Sequence, residues 1–139
     1  MANFLPFNEG ENYVGQNGLP TTCRFLLSTK SVDATTPFSA TDTLVGNQDG
    51  EITGTGYARL SEARPTPTAG LYAFAIKSWS TGAATDWPAA VRSIVLVTTA
   101  DDTGVMICVW NLVVGGAARD LSLAGTTENF TPSLQIGIA

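Results

Sequence analysis

Three segments rich in β-branched and aromatic residues constrain the fold of this chain more than any other feature. They span residues 71–80, 91–98 and 105–114, and such side chains favour strands over helices. Residues 99–104, between the last two segments, have the length and composition of a hairpin loop. No segment carries apolar residues at the helical period over three turns. The sequence therefore predicts an all-β fold, either an antiparallel β-sandwich or a jelly-roll-like barrel.

Weaker signals extend this pattern. Residues 21–30 and 130–138 alternate between apolar and polar side chains, as strands with one buried face do. Short strands are also predicted at 57–61 and 120–123. Residues 64–70 contain two prolines, which lack backbone donors, so that segment is expected to run extended along an edge or the surface.

The remaining segments read as irregular structure. Residues 32–56 are rich in Thr, Ser, Asp and Gly and predict a long loop, with a turn signal at 46–50 and a helical turn at 41–44. Glycine and proline break residues 1–20 repeatedly, with apolar side chains between them. We therefore predict an extended N-terminal arm over 1–20 and a single β domain over 21–139.

The strand predicted at 105–114 is apolar on both faces, and residues 71–76 are similar. An antiparallel sheet in a small monomer normally exposes one face to water. Two arrangements cover the second face: self-association, which we favour because the chain offers little helix for a covering layer, or a closed sandwich in which these strands are central.

Charge and composition exclude several classes of function. The 139-residue chain has 7 Lys and Arg against 12 Asp and Glu, a net charge of -5, so direct binding of nucleic acid is not expected. The first residues lack the features of a signal peptide, and no apolar run is long enough to span a bilayer. Folding in a cytosol without membrane contact is the resulting expectation.

The sequence offers no catalytic, metal or cofactor site, so we predict a protein that is not an enzyme. There is no histidine, the usual general base and a common zinc ligand. The adjacent Asp101 and Asp102 fit a solvated turn, and residues 45–56 have the wrong ends for a calcium loop. Cys23 and Cys108 are interpreted as small buried hydrophobic residues rather than a disulfide.

A short pattern resembles a known group of proteins. Tyr57, Ala58 and Arg59 follow Gly54-Thr-Gly, Trp87 comes after a gap, and a β-hairpin and a closing strand complete the chain. This resembles small virion proteins of tailed bacteriophages, which include head decoration, minor structural and tail-fibre proteins. The resemblance covers roughly residues 20–138. The chain departs from the group in its Gly/Pro-broken start and in the Pro-Ala-Ala after Trp87, where a glycine is common.

The resemblance implies a structural protein of the virion. We expect a head decoration (cement) protein on the capsid surface, a homotrimer bound to the major capsid protein and synthesised in the cytoplasm of the host bacterium. Trimerisation is expected through strand faces around Trp79 and Trp110, with residues 4–14 and 32–50 clamping the shell. Removing residues 1–19 should then leave a folded oligomer that no longer binds heads. The interface candidates are Phe4, Leu5, Phe7, Tyr13, Val14, Trp79, Trp87 and Trp110.

The alternative is a tail-fibre or adsorption protein that binds host surface glycans or another tail component. Aromatic side chains exposed at loop tips beside Asp or Asn would support it. Trp87, preceded by Asp86, is the best candidate.

Overall fold

A computed structural model of the protein describes residues 3–33, 37–44 and 50–136, and within them the fold is all-β with a single short helix. The turn predicted at 46–50 and the end of the strand predicted at 130–138 fall largely outside these residues. The elements are β1 (Phe4–Pro6), α1 (Asn8–Asn17), β2 (Thr22–Ser28), β3 (Leu60–Ala63), β4 (Leu71–Ala73), β5 (Lys77–Ser80), β6 (Ser93–Val97), β7 (Met106–Asn111), β8 (Thr127–Phe130) and β9 (Ser133–Gln135).

Five strands form a central antiparallel sheet in the order β1-β7-β6-β2-β3. The predicted hairpin is its middle, where β6 pairs with β7. Leu96 pairs with Cys108 and Val97 with Met106, so Ile107 is an extra residue and the strand bulges there.

The other four strands form a ribbon beside this sheet. β4 pairs with β9 and β5 with β8, from Leu71 opposite Gln135 to Ser80 opposite Thr127. Three residues, 74–76, lie opposite two, 131–132, so the first strand carries one extra residue. We call this two-stranded arrangement of residues 71–80 and 127–135 the ribbon.

The core lies on both faces of the central sheet, and a single chain covers both. One buried cluster joins the sheet to ribbon residues such as Phe74, Trp79 and Leu134. The other places Phe7, Phe38 and Leu44 against the opposite face. A sheet with a ribbon packed against one face is compatible with a sandwich.

This arrangement corrects the expectation, favoured from the sequence, that self-association covers the second face, and agrees with the alternative in which these strands are central. Every residue of β6 and β7 is buried within one chain. In residues 71–76 the ribbon bulge explains the apparent two-sidedness: Phe74 and Lys77 both point inward, which leaves Ala75 and Ile76 exposed between them. The sequence pattern could not show that loop residues such as Phe38 supply the covering layer.

The prediction of an extended irregular arm over residues 1–20 is wrong for the helix α1. Phe7 precedes the helix and is fully buried, while the first-turn acids Glu9 and Glu11 favour its positive end. Gly18, with a φ of 72°, ends it. The arm is therefore part of the packed structure, and removing residues 1–19 would unfold or destabilise the chain rather than leave the expected folded oligomer.

The strand β1 shows why Pro6 is tolerated there. Asn111 N–H donates to Asn3 C=O and Phe7 N–H donates to Ile107 C=O, so the residues on either side of β1 bond to β7. Pro6 lies between them and faces the unpaired edge of the sheet, where its missing donor breaks no ladder bond.

Three smaller predictions from the sequence differ from the structure. The strand expected at 57–61 lies at Leu60–Ala63. Residues 120–123 form no strand, because the Asp120 carboxylate accepts the Ser122 N–H and makes a local turn. No helix is assigned at 41–44, although Leu44 is buried.

Candidate functional site

The residues that carry the sequence resemblance meet at one place, beside the β6–β7 loop. The Tyr57 and Trp87 rings contact each other edge to face, with centroids 5.6 Å apart at 89°. Arg59 lies at the other end of the same segment, against Asp101 and Asp102 of the loop.

Arg59 uses donors on all three nitrogens of its guanidinium group. Nε and Nη2 form a bidentate pair with the Glu51 carboxylate at 2.9 and 2.6 Å. Nη2 also reaches the Asp102 carboxylate at 2.7 Å, and Nη1 donates to the Thr99 and Asp101 carbonyls. The side chain is 9 % exposed, and its bonds to Glu51 and Asp102 raise its pKa. This arginine stays charged and is fully engaged by the protein.

Tyr57 is fixed in the same network. Its hydroxyl accepts the Leu27 N–H of β2 at 3.1 Å and donates to Glu51 at 2.9 Å. Burial and the nearby Glu51 carboxylate raise the Tyr57 pKa far above its ordinary value, so the phenol remains protonated.

Trp87 is a packing residue of the same unit. It is 3 % exposed, and its indole N–H donates to the Thr55 carbonyl at 2.9 Å. A Cβ on Gly54 would come within 2.4 Å of the ring, so the chain needs glycine there. The preceding residue, Asp86, accepts the Thr55 N–H and hydroxyl, and these bonds lower the Asp86 pKa.

This constellation is suited to holding chain segments together. It links the sheet, the β6–β7 loop and the segment before Trp87 through hydrogen bonds whose donors are used within the chain. Among the residues that the structure describes, no group of three or more His, Cys, Asp or Glu could hold a metal ion. No helix in the described part is long and apolar enough to cross a membrane.

Four of the eight predicted interface residues have almost no surface to offer a partner. Phe7 is 0 % exposed, Trp79 and Trp87 are each 3 %, and Trp110 is 8 %. Trp79 and Trp110 also donate their indole N–H groups to carbonyls within the chain. The expected trimer contact through strand faces around Trp79 and Trp110 is therefore not available in this structure.

The other four predicted residues keep accessible surface. Phe4 is 37 % exposed, and Leu5, Tyr13 and Val14 are half-buried. Phe4 and Val14 line a mainly apolar groove of about 380 Å³ between the start of the chain and β9. The structure thus brings two of the candidates together, and the Phe4 ring also lies beside the buried ring of Trp110, with centroids 5.8 Å apart.

The two cysteines are free and buried, as predicted. β6 lies between their strands, which puts Cys23 and Cys108 about two strand spacings apart, roughly 10 Å, too far for a disulfide. Burial raises the pKa of Cys23 to about 11 and that of Cys108 well above its ordinary value. Both thiols stay protonated and unreactive near neutral pH.

Sequence reasoning missed the outward side of the ribbon, which is exposed and uncharged. The signal was present in the alternation of residues 127–135, whose outward positions are Thr, Asn, Thr, Ser and Gln. It could be found only by pairing this segment with residues 71–80, because neither strand alone defines a surface.

Comparisons with protein-family models, with curated proteins and with solved structures each found no match.

Proposed function

We propose that this protein is a non-enzymatic structural component of a tailed-phage virion, a head decoration protein that works by assembling on the capsid. It would be made in the host bacterial cytoplasm and would bind the major capsid protein. This proposal begins from the resemblance in Tyr57, Ala58, Arg59 and Trp87.

The observation that carries the proposal is the use of these residues inside the chain. Arg59, Tyr57 and Glu51 are the kinds of groups that enzymes employ, yet here each is bonded to the others or to the backbone. Such a network stabilises the body of a protein and leaves no free nucleophile or base at that place. A stable body that presents surfaces to neighbours is what a particle component requires.

The glycan-binding alternative loses its best candidate. A sugar platform needs an accessible aromatic face, whereas Trp87 is 3 % exposed and the carboxylate of Asp86 is taken up by Thr55. The observed geometry therefore favours an assembly role over an adsorption role at this loop.

The structure also changes which residues we propose to contact the capsid. Phe7 is an anchor within the chain rather than a clamp, so of the predicted clamp residues it is Phe4 and Val14, with the accessible groove beside them, that offer an apolar surface to the capsid. Phe4→Asp should therefore weaken attachment to heads; because Phe4 is 37 % exposed but its ring also contacts Trp110, circular dichroism must show that the variant is folded. Val114→Asp, at a residue 81 % exposed in a turn, is the matched control.

The composition of purified particles tests the proposal. Quantitative mass spectrometry of virions from the phage that encodes this chain should find it at a copy number comparable to that of the major capsid protein. A few copies per particle would indicate a tail component, and absence from particles would reject the virion role.

A further inference from the structure

The outward side of the ribbon forms a continuous exposed surface whose own side chains carry no charge. We call it the neutral face. All of its residues are exposed, and they come from both strands of the ribbon: Leu71, Ala73, Ala75, Ile76, Ser78, Ser80, Thr127, Asn129, Thr131, Ser133 and Gln135. The nearby Glu62 carboxylate of β3, which pairs with Lys77, accepts the Ala75 N–H.

The charged residues of the ribbon point the other way. Lys77 is 5 % exposed and pairs with Glu62 of β3 at 2.5 Å. Glu128 is 3 % exposed and pairs with Arg119 at 2.8 Å. Surfaces designed for solubility carry about 25–35 % charged residues, and this chain as a whole is 14 % charged. In the ribbon the charged side chains point inward and the side chains that face solvent are neutral. A strand selected only for solubility would show the opposite arrangement, with its charged side chains in the solvent.

The ribbon bulge adds an apolar centre to this face. Because residues 74–76 contain one extra residue, Ile76 turns outward and is 57 % exposed near the middle of the ribbon. Leu71, at one end, is 40 % exposed. An apolar side chain surrounded by neutral polar groups is the usual anatomy of a protein interface, whose centre is depleted of charge.

We propose that the neutral face binds the same face of a second copy of this chain. Two copies each carry a net charge of -5 and repel one another, so they approach at lowest cost where neither presents a charge. A two-fold contact also requires a self-complementary surface. Hydroxyl and amide groups are both donors and acceptors and can satisfy their own copies, whereas a carboxylate facing its copy cannot.

The size of the neutral face sets the strength of this contact. A ten-residue ribbon is about 33 Å long and, with its side chains, about 12 Å wide, so a pair of copies buries roughly 800 Å² in total. Stable interfaces usually bury about 1,200–2,000 Å². The contact is therefore weak for an isolated pair, and its lasting effect rests on the proposed virion function, in which many copies are held close together.

Sedimentation velocity of the full-length protein over a range from about 1 to about 500 μM tests this inference. The wild-type chain should associate reversibly as its concentration rises. Ile76→Asp and Thr131→Glu, which place like charges opposite each other, should weaken association at least tenfold. Val114→Asp and Leu123→Asp are matched controls, because these residues are 81 % and 66 % exposed and lie off the ribbon.

A second readout distinguishes this contact from an electrostatic one. Association through a neutral face should not weaken as salt increases, since no ion pair is screened. Circular dichroism of each variant confirms that it is folded. If the wild type stays monomeric throughout, or if ribbon and control variants associate equally, the inference is rejected.

These outcomes are separate from the test of function. A chain that is abundant in virions yet monomeric in solution, and whose Ile76→Asp variant still decorates heads fully, would keep the virion role and reject the neutral-face contact. A chain that self-associates through the neutral face but is absent from particles would keep the neutral-face contact and reject the virion role.

Discussion

Arg59 connects segments that are distant in the sequence, and its geometry explains why lysine cannot replace it. The guanidinium group binds Glu51 through two nitrogens and also bonds to Asp102 and two loop carbonyls. A lysine has three donors on one nitrogen and cannot form the bidentate pair.

Arg59→Lys should lower the free energy of unfolding by about 2 kcal/mol, because a half-bonded Glu51 remains in a partly buried site. Urea denaturation monitored by tryptophan fluorescence measures this change. Arg24→Lys, at a half-buried position of β2, is the control and should change stability by less than about 0.5 kcal/mol. Equal effects of the two substitutions would show that the network around Arg59 contributes little.

Cys23 gives the protein a predictable response to alkali. Its pKa rises from 9.0 to about 11 on folding because the thiol is buried. Above pH 9 the unfolded chain releases this proton while the folded chain retains it, so the free energy of unfolding falls as pH rises toward 11. Below pH 9 the contribution is fully present.

Between pH 8 and about 10.5, Cys23 alone should account for a loss of about 2 kcal/mol. Cys23→Ala removes the titrating group, so its stability should depend less steeply on pH over this range, even though its stability at pH 8 is lower. Denaturation curves at each pH provide the comparison. Parallel pH dependences in the two proteins would contradict the assignment.

At the scale of elements, α1 contains two glycines in opposite environments, one packed against the sheet and one facing open space. A Cβ on Gly10 would lie 2.5 Å from the backbone of Ile107 in β7, whereas a Cβ on Gly15 would meet nothing within 4 Å. Gly10 lets the helix approach the sheet, and Gly15 only weakens the helix.

Gly15→Ala should therefore stabilise the protein by about 0.5–1 kcal/mol through helix propensity. Gly10→Ala should destabilise it by about 1–3 kcal/mol, because helix and strand must move apart. The same glycine-to-alanine substitution at two positions of one helix thus makes each variant the control for the other. Thermal or urea unfolding measures both, and stabilisation by both substitutions would mean that α1 is not packed on β7.

The same helix shows where prediction from sequence stops. Its glycines and polar residues give no apolar stripe, since Gly10 is its buried residue, Val14 packs half-buried against the core, and the anchor Phe7 precedes it. The hairpin of β6 and β7 was predictable because its strand residues and loop are local signals. The ribbon bulge at Ile76 was not, because it depends on pairing with residues far along the chain.

At the scale of the whole molecule, the central result is that one chain covers both faces of its central sheet. The sequence predicted the all-β fold, but composition could not reveal that the ribbon and the loop carrying Phe38 and Leu44 form the covering layers. What the chain leaves for neighbours is therefore peripheral: the neutral face and the groove beside Phe4. The self-association that we propose would use the finished surface and is not needed to complete the core.

Tryptophan fluorescence on dilution tests this claim most directly. All three tryptophans are at least nine-tenths buried within one chain, so the emission maximum should stay constant from about 100 μM down to about 50 nM, where a weak oligomer is fully dissociated. A red-shifted emission at the lowest concentrations would contradict the account, because it would mean that a partner chain covers the core.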